Sequence, residues 1–206
     1  MFEEFLTQAQ RSQLQAFHAF FSNENQTGFL SSIRDEQEIF IKHYADCLIA
    51  GKMLAEKGYL RSPLVDLGSG GGFPGIPLKI QFPHLEIILA ECRQSKARFL
   101  QQAIAKLELP QISVFSKKVT GKSFNLPFQT VMTRALEPIS ETLERLAPQA
   151  KPKTFFIFMK GPDVEKEIVA FAKNSKLAAR FVIRDRLHYA LPVLGHQRSL
   201  IVIEKS

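Results

Sequence analysis

The stretch Leu64–Leu78, LVDLGSGGGFPGIPL, constrains this chain more than any other. Leu64–Leu67 reads as a strand that ends beside an acid, Asp66, and runs into a loop with four glycines in five positions. Pro74 and Pro77 then fall in the first turn of a helix, where they are tolerated because the first helical N–H groups have no intrahelical partner. Glycines permit positive φ and close approach of a ligand, and a helix start offers N–H groups and the positive end of a dipole. A bare turn needs one or two glycines, so four argue for a loop that receives a nucleotide-like cofactor.

After Pro63 the pattern alternates between strand and helix. The expected strands are 64–67, 87–91, 112–116, 130–133, 154–159, 181–187 and 200–204, and the expected helices 74–82, 95–107, 138–147 and 162–174. Such alternation means parallel pairing with right-handed crossovers. No helix separates the last two strands, only Leu191, Pro192 and Gly195, so they should close the sheet as an antiparallel hairpin. The expected fold class is therefore α/β: a Rossmann-like, mostly parallel seven-stranded sheet with an antiparallel C-terminal hairpin and N-terminal helices.

Upstream, Phe2, Phe5, Leu6, Ala9, Leu14, Phe17, Phe20 and Phe21 recur at mostly helical spacing, an amphipathic helix whose aromatic stripe reads as core rather than as a base-stacking platform. A second helix should begin at Asp35, with Glu38 in the capping-box position, and end at Gly58. His43 and Asp46 are i and i+3 on it, hence on one face, where they are expected to order the N-terminal helices against the sheet, with an acid/base pair as the alternative. Residues 1–60 are thus expected as a helical extension packed on a core of 61–206.

A chain of 206 residues suffices for one α/β domain without staples. Cys47 and Cys92 are isolated, with no His/Cys cluster at metal spacing, so no metal and no disulfide are expected. The absence of a signal-like start and of an apolar run near eighteen residues points to a cytoplasmic chain without a membrane partner. Residues 1–40 hold six acids and two bases, a net of −4, so the remainder carries +11 of an overall +7. That asymmetry suggests that the catalytic body meets a polyanion, with nucleic acid the leading candidate.

In open α/β sheets, ligands bind beyond the carboxyl ends of the strands, near the point where strand order reverses. Asp66 ends the first strand. Glu91 ends the second, about twenty residues past the glycines, where an acid typically binds ribose hydroxyls. Gly70-x-Gly72-x-x-Gly75 matches the dinucleotide fingerprint, but it starts three residues after the strand, and no residue stands out to handle a hydride-linked proton. The loop could equally receive the amino-acid end of S-adenosylmethionine, with Asp66 near its ammonium and Glu91 on its ribose.

The run from Gly68 to Pro77, GSGGGFPGIP, resembles the first motif of the RsmG (GidB) family, bacterial 16S ribosomal RNA guanine-N7 methyltransferases. Other matches follow in order. Leu30–Arg34 (LSSIR) resembles the family's LTxIR, His43–Leu48 (HYADCL) its HxxDSL, and Thr133-Arg134-Ala135 its SRA; Lys96, Arg98, Lys160-Gly161 and Arg198 also fall in place. The resemblance implies S-adenosylmethionine as cofactor, Gly68 and Phe73 in its loop with Gly70 and Gly72, Glu91 on its ribose, Val119 and Thr120 on the adenine side, and Arg134 beside it. Departures include Glu91 for a usual Asp, Thr120 for an acid, and Cys47 for Ser.

Absences narrow the chemistry. The Asn/Asp-Pro-Pro-aromatic loop common to exocyclic-amine methylation is replaced by Thr133-Arg134-Ala135-Leu136, and neither cysteine sits in a Pro-Cys nucleophile context. Guanine N7 has a lone pair available at neutral pH and needs no general base, only positioning. Arg134 is the candidate catalytic residue, holding either the methionine carboxylate or guanine O6; its alternative is a structural ion pair. Lys96, Arg98, Lys160 and Arg198, with Lys117, Lys118, Arg184, Arg186 and His196, are candidate RNA-binding residues. The expectation is a monomeric enzyme acting on 16S rRNA of the small ribosomal subunit; the alternatives are a nicotinamide-dependent oxidoreductase and a noncatalytic RNA- or ribosome-binding protein.

Overall fold

The protein is described by a computed structural model over residues 5–121 and 123–206, so Phe2 of the expected first helix lies outside the described residues. Seven strands, β1 (Leu64–Leu67), β2 (Ile87–Ala90), β3 (Ile112–Phe115), β4 (Thr130–Arg134), β5 (Phe155–Lys160), β6 (Phe181–Ala190) and β7 (Gln197–Lys205), form one sheet in the order β3-β2-β1-β4-β5-β7-β6. β1 pairs in parallel with both β2 and β4, which places the reversal of strand order between β1 and β4, where the glycine loop leaves the sheet. β7 is antiparallel to both β5 and β6.

Successive strand residues face opposite sides, and each side has its own core. Leu64, Ile87, Leu89, Met132, Ile157 and Val202 face the side covered by α1 (Gln8–Glu24), α3 (Asp46–Glu56), α4 (Gly75–Gln81) and α5 (Gln94–Lys106). Val65, Leu67, Ile88, Val131, Phe156 and Ile203 face α6 (Ile139–Leu146) and α7 (Glu165–Lys173). Both faces being covered explains why β1 and β2 are near-continuous apolar runs. α4 is buried at every position, and its Lys79 is tolerated because Nζ donates to Pro83 O at 2.6 Å and Leu85 O at 2.5 Å.

α1 starts at a complete capping box, Thr7 with Gln10, and buries Leu14, Phe17 and Phe21. Its aromatic stripe is core: Phe17 and Phe21 lie 5.5 and 5.3 Å, ring to ring, from Phe73 of the glycine loop. Asp35 caps α2 (Glu36–Ile39) through the Glu38 N–H, but the capping box is not closed, because the Glu38 carboxylate is drawn instead to Lys42 Nζ at 2.9 Å. The second helix also departs from one continuous α-helix. Phe40–Ala45 is π-helical, and the Asp46 N–H goes to the carbonyls of Ile41 and His43, not to that of Lys42. The freed Lys42 carbonyl becomes part of the site described below.

The terminal strands run further than their apolar residues indicate, because polar cross-strand pairs such as His188↔Ser199 and Tyr189↔Arg198 extend the ladder without an apolar signal. The expected 162–174 helix opens with a 3-10 turn, Pro162–Val164. Among the described residues, no helix is long and apolar enough to cross a membrane.

Candidate functional site: a two-lobed groove at the strand ends

Two cavities meet above the carboxyl ends of β1, β2 and β4, sharing Gly68, Gly70 and Ala135. The first, about 430 Å³, lies over β2 and is lined by Glu91, Val119, Lys96 and Leu136 among others. The second, about 480 Å³, lies over β4 toward the N-terminal helices and includes Ser31, His43, Phe73, Arg134 and Arg198. Gly70 separates them. It has φ +55, a conformation that favours glycine, and a Cβ built there would meet only the Gly68 carbonyl, at 3.8 Å.

The other loop glycines serve the turn itself. A Cβ on Gly72 (φ +91) would strike Ile76 at 2.7 Å, and one on Gly75 would strike Leu89 Cδ2 at 2.2 Å and Asp66 Oδ2 at 2.7 Å. Gly72 lines neither lobe. Asp66 also lines neither, which corrects its expected place beside a ligand's ammonium. It is fully buried under the loop, where Oδ2 accepts the Gly75 N–H at 2.9 Å and Oδ1 has no partner. Burial pushes its carboxyl up to about 6.

This carboxylate also changes the reading of the helix start. Gly75 N–H is taken by Asp66, Ile76 N–H by the Gly72 carbonyl at 2.8 Å, and Pro74 and Pro77 have none. The first turn of α4 therefore offers no free donor to a pyrophosphate, contrary to the anion-binding helix start expected from sequence. A dinucleotide fits poorly, whereas a cationic sulfonium ligand requires no such donors.

Glu91 lines the first lobe, its oxygens accepting from Gly70 N at 3.0 Å and Arg93 N at 2.8 Å. A carboxylate has about four acceptor sites, so these two bonds orient it and leave capacity for ribose hydroxyls. Val119 supplies an apolar wall. Thr120 does not line the lobe; its N–H and hydroxyl both bond Ser123 Oγ at 2.9 Å.

The second lobe is organised by Arg134 at the end of β4. Its Nη1 donates to the Lys42 carbonyl at 2.9 Å, its Nη2 to His43 Nδ1 at 3.0 Å, and Asp46 Oδ2 lies 3.5 Å from Nη1. The π-helical turn thus supplies the carbonyl that an α-helix would have consumed. Phe73 lies beneath, stacked on His43 at 4.7 Å and under the guanidinium at 5.3 Å. Asp46 is shared with Arg198 Nε at 3.6 Å and with Tyr189 OH at 2.6 Å. Desolvation, then Arg134, lower His43 to about 3, so it is neutral. Burial pushes the thiol of Cys47 and the phenol of Tyr44 up, which leaves both unreactive. Cys92 is exposed and lines the first lobe.

The basic candidates separate. Lys160 lines the second lobe, but all three of its donors are spent on the Glu137 carbonyl at 2.8 Å and the two Glu167 oxygens at 2.8 and 3.0 Å, so its expected role on RNA is replaced by anchoring the loop after β4. Lys96, with exposed Lys117 and Lys118, rims the first lobe. Arg98 is exposed on α5 and lines neither lobe. Arg184 and Arg186 pair with Glu204 and Glu165. Among the described residues no group of three or more His, Cys, Asp or Glu could hold a metal.

A Rossmann-like sheet with a glycine-rich loop and a two-lobed groove above its strand ends is the architecture of an S-adenosylmethionine-dependent methyltransferase, the class to which the family match below assigns the chain. The solved structures that it resembles have that sheet in common: a mutant of MtNAS in complex with S-adenosylmethionine (TM-score 0.63, 16% identity, covering 95% of this chain and 76% of that one). The B. subtilis tRNA methyltransferase TrmK is similar with TM-score 0.56 at 15% identity, covering 76% of this chain and 65% of that one. At this identity they speak for the fold. The chain belongs to the family of rRNA small subunit methyltransferase G (GidB), whose model matches residues 10–186. Ribosomal RNA small subunit methyltransferase G of Lacticaseibacillus paracasei is 30% identical over 97% of this chain and 84% of its own length. Ribosomal RNA small subunit methyltransferase G 2 of Syntrophobacter fumaroxidans is 38% identical over 97% of this chain, which spans only 39% of that longer protein.

Proposed function

We propose that this chain transfers the methyl group of S-adenosylmethionine to N7 of a guanine in the 16S rRNA of the small ribosomal subunit. When bound, the cofactor supplies an electrophilic methyl on a sulfonium sulfur. Glu91 and Val119 would hold its nucleoside, the Gly68–Gly70 backbone its thioether region, and Phe73 the wall beside Arg134.

The observation that carries the reading is that, among the described residues, the second lobe has no available base. His43 Nδ1 already accepts from Arg134, and Asp46 is held by Arg134, Arg198 and Tyr189. Amine or carbon methylation must dispose of a proton or use a covalent nucleophile; N7 needs neither, because its lone pair is available. The chain's part is therefore to orient the base, exclude water and place the nucleophile in line. Lys96, Lys117 and Lys118 on the rim, with Arg198 in the lobe, suit approach by an RNA backbone. Both lobes come from one chain, so a monomer suffices, and work on ribosomal RNA belongs in the bacterial cytoplasm.

Cofactor choice separates this reading from a nicotinamide enzyme. In equilibrium titration, S-adenosylhomocysteine is expected to bind and NAD to leave it undisplaced, because Asp66 occupies the helix start. Preferential binding of NAD would overturn the assignment.

A further inference from the structure

The second lobe contains one hydroxyl whose hydrogen-bonding roles are fixed by its neighbours. Arginine can only donate, so at the 3.0 Å contact between Arg134 Nη2 and His43 Nδ1 the imidazole nitrogen accepts. His43 is neutral, and its single ring proton therefore sits on Nε2. That N–H donates across 2.8 Å to Ser31 Oγ, and the Ile33 backbone N–H donates to the same oxygen across 3.2 Å. Both Ser31 lone pairs are occupied. Its own O–H, with no acceptor among the described residues, can act only as a donor to whatever fills the lobe that Ser31 lines.

The backbone around Ser31 is also fixed. Buried Asn25 accepts the N–H groups of Leu30 at 3.1 Å and Ser31 at 2.9 Å, and donates to the Ser31 carbonyl at 3.1 Å. A hydroxyl held on a clamped loop, with both acceptor sites filled, is polarised for one role.

We propose that Ser31 determines base specificity by donating its hydroxyl hydrogen to O6 of the target guanine, leaving N7 bare for the methyl group. The proposal rests on the guanine-N7 reading above. On the Hoogsteen edge guanine presents two acceptors, N7 and O6, whereas adenine presents N7 beside an N6 amino donor. An ordinary serine could turn to satisfy either. Ser31 cannot accept, so adenine would set donor against donor and leave both unpaired. Arg134 and His43 act through Ser31 as positioning residues, which accounts for a guanidinium spent on a histidine and a carbonyl rather than aimed wholly at the ligand.

The test compares substrates that differ only at O6. With the modified nucleotide mapped, RNA carrying guanine or 2-aminopurine at that position is offered to the wild type, Ser31→Ala and Ser31→Thr. Ser31→Ala is expected to lower kcat/KM on guanine about ten- to hundredfold. Ser31→Thr, which keeps the hydroxyl, should restore it to within a few-fold. On 2-aminopurine, which keeps N7 and lacks O6, wild type and Ser31→Ala should be equal. Ser31→Ala activity equal to wild type on guanine, or the same loss on both substrates, would overturn the proposal, the second outcome marking a purely structural role. No product from the wild type on guanine would instead remove the N7 reading itself, and this inference with it.

Discussion

Arg134→Ala is expected to lower methyl transfer at least a hundredfold and to destabilise the fold by about 1–3 kcal/mol, the cost of leaving buried acceptors without their donor. Arg134 is the point where β4 and the π-helical turn are joined. Without it the Lys42 carbonyl and His43 Nδ1 lose their donor, and Asp46 keeps only Arg198 and Tyr189. The rate effect follows because the lobe acts by positioning, where a misplacement near 1 Å costs about a hundredfold. Arg134→Lys should not recover activity, since one ammonium cannot serve a carbonyl and an imidazole in fixed fork geometry. Denaturant unfolding alongside steady-state kinetics reads both effects. Unchanged stability and unchanged rate would show that the network is incidental.

The second large effect belongs to a single methyl group. Gly75→Ala is expected to cost about 1–3 kcal/mol of stability and most of the affinity for S-adenosylhomocysteine. The added Cβ would meet the core side chain Leu89 and the carboxylate oxygen that accepts the Gly75 N–H, so neither neighbour can yield without breaking what it holds. Displacing Asp66 shifts the loop that carries Gly68 and Gly70. Gly195→Ala is the control, because nothing lies within 4 Å of a Cβ there, although its φ of +62 brings local strain. Thermal unfolding and S-adenosylhomocysteine titration distinguish the two; equal behaviour would mean that the Asp66–Gly75 contact does not set the loop.

Much of this architecture was legible in the residues. β1 agrees with its expected bounds, and the parallel order follows from strand and helix alternation around glycines and prolines whose backbone limits are local. The placement of Glu91 was legible for the same reason, since the end of β2 delivers it to that edge of the sheet, whereas Val119 was indicated by the family resemblance alone. The family resemblance carried by GSGGGFPGIP supplied the choice of cofactor that spacing alone left open.

What could not be read depends on contacts distant in sequence. Tyr189 meets Asp46 across 143 positions, and nothing in either neighbourhood signals the pairing. The π-helical turn at Phe40–Ala45 has no composition signature, yet it releases the Lys42 carbonyl to Arg134. Asp66 occupies the expected place in the chain and faces the opposite way, because the strand's period of two directs position 66 toward α4. Lys160 and Arg98 carry the same charge as Lys96, and only packing shows that the first is consumed by Glu167 and that the second lies outside the groove. The role of Ser31 required the tautomer of His43, which only geometry provides.

The central claim is tested most directly by the chemical identity of the product. Small ribosomal subunits and naked 16S rRNA are incubated with methyl-labelled S-adenosylmethionine and the protein, and the RNA is digested to nucleosides and separated by mass spectrometry. The label is expected in 7-methylguanosine and in no other nucleoside. Label in an exocyclic-amine or carbon-methylated nucleoside would contradict the account, as would the absence of labelled nucleoside from both substrates while S-adenosylhomocysteine still binds.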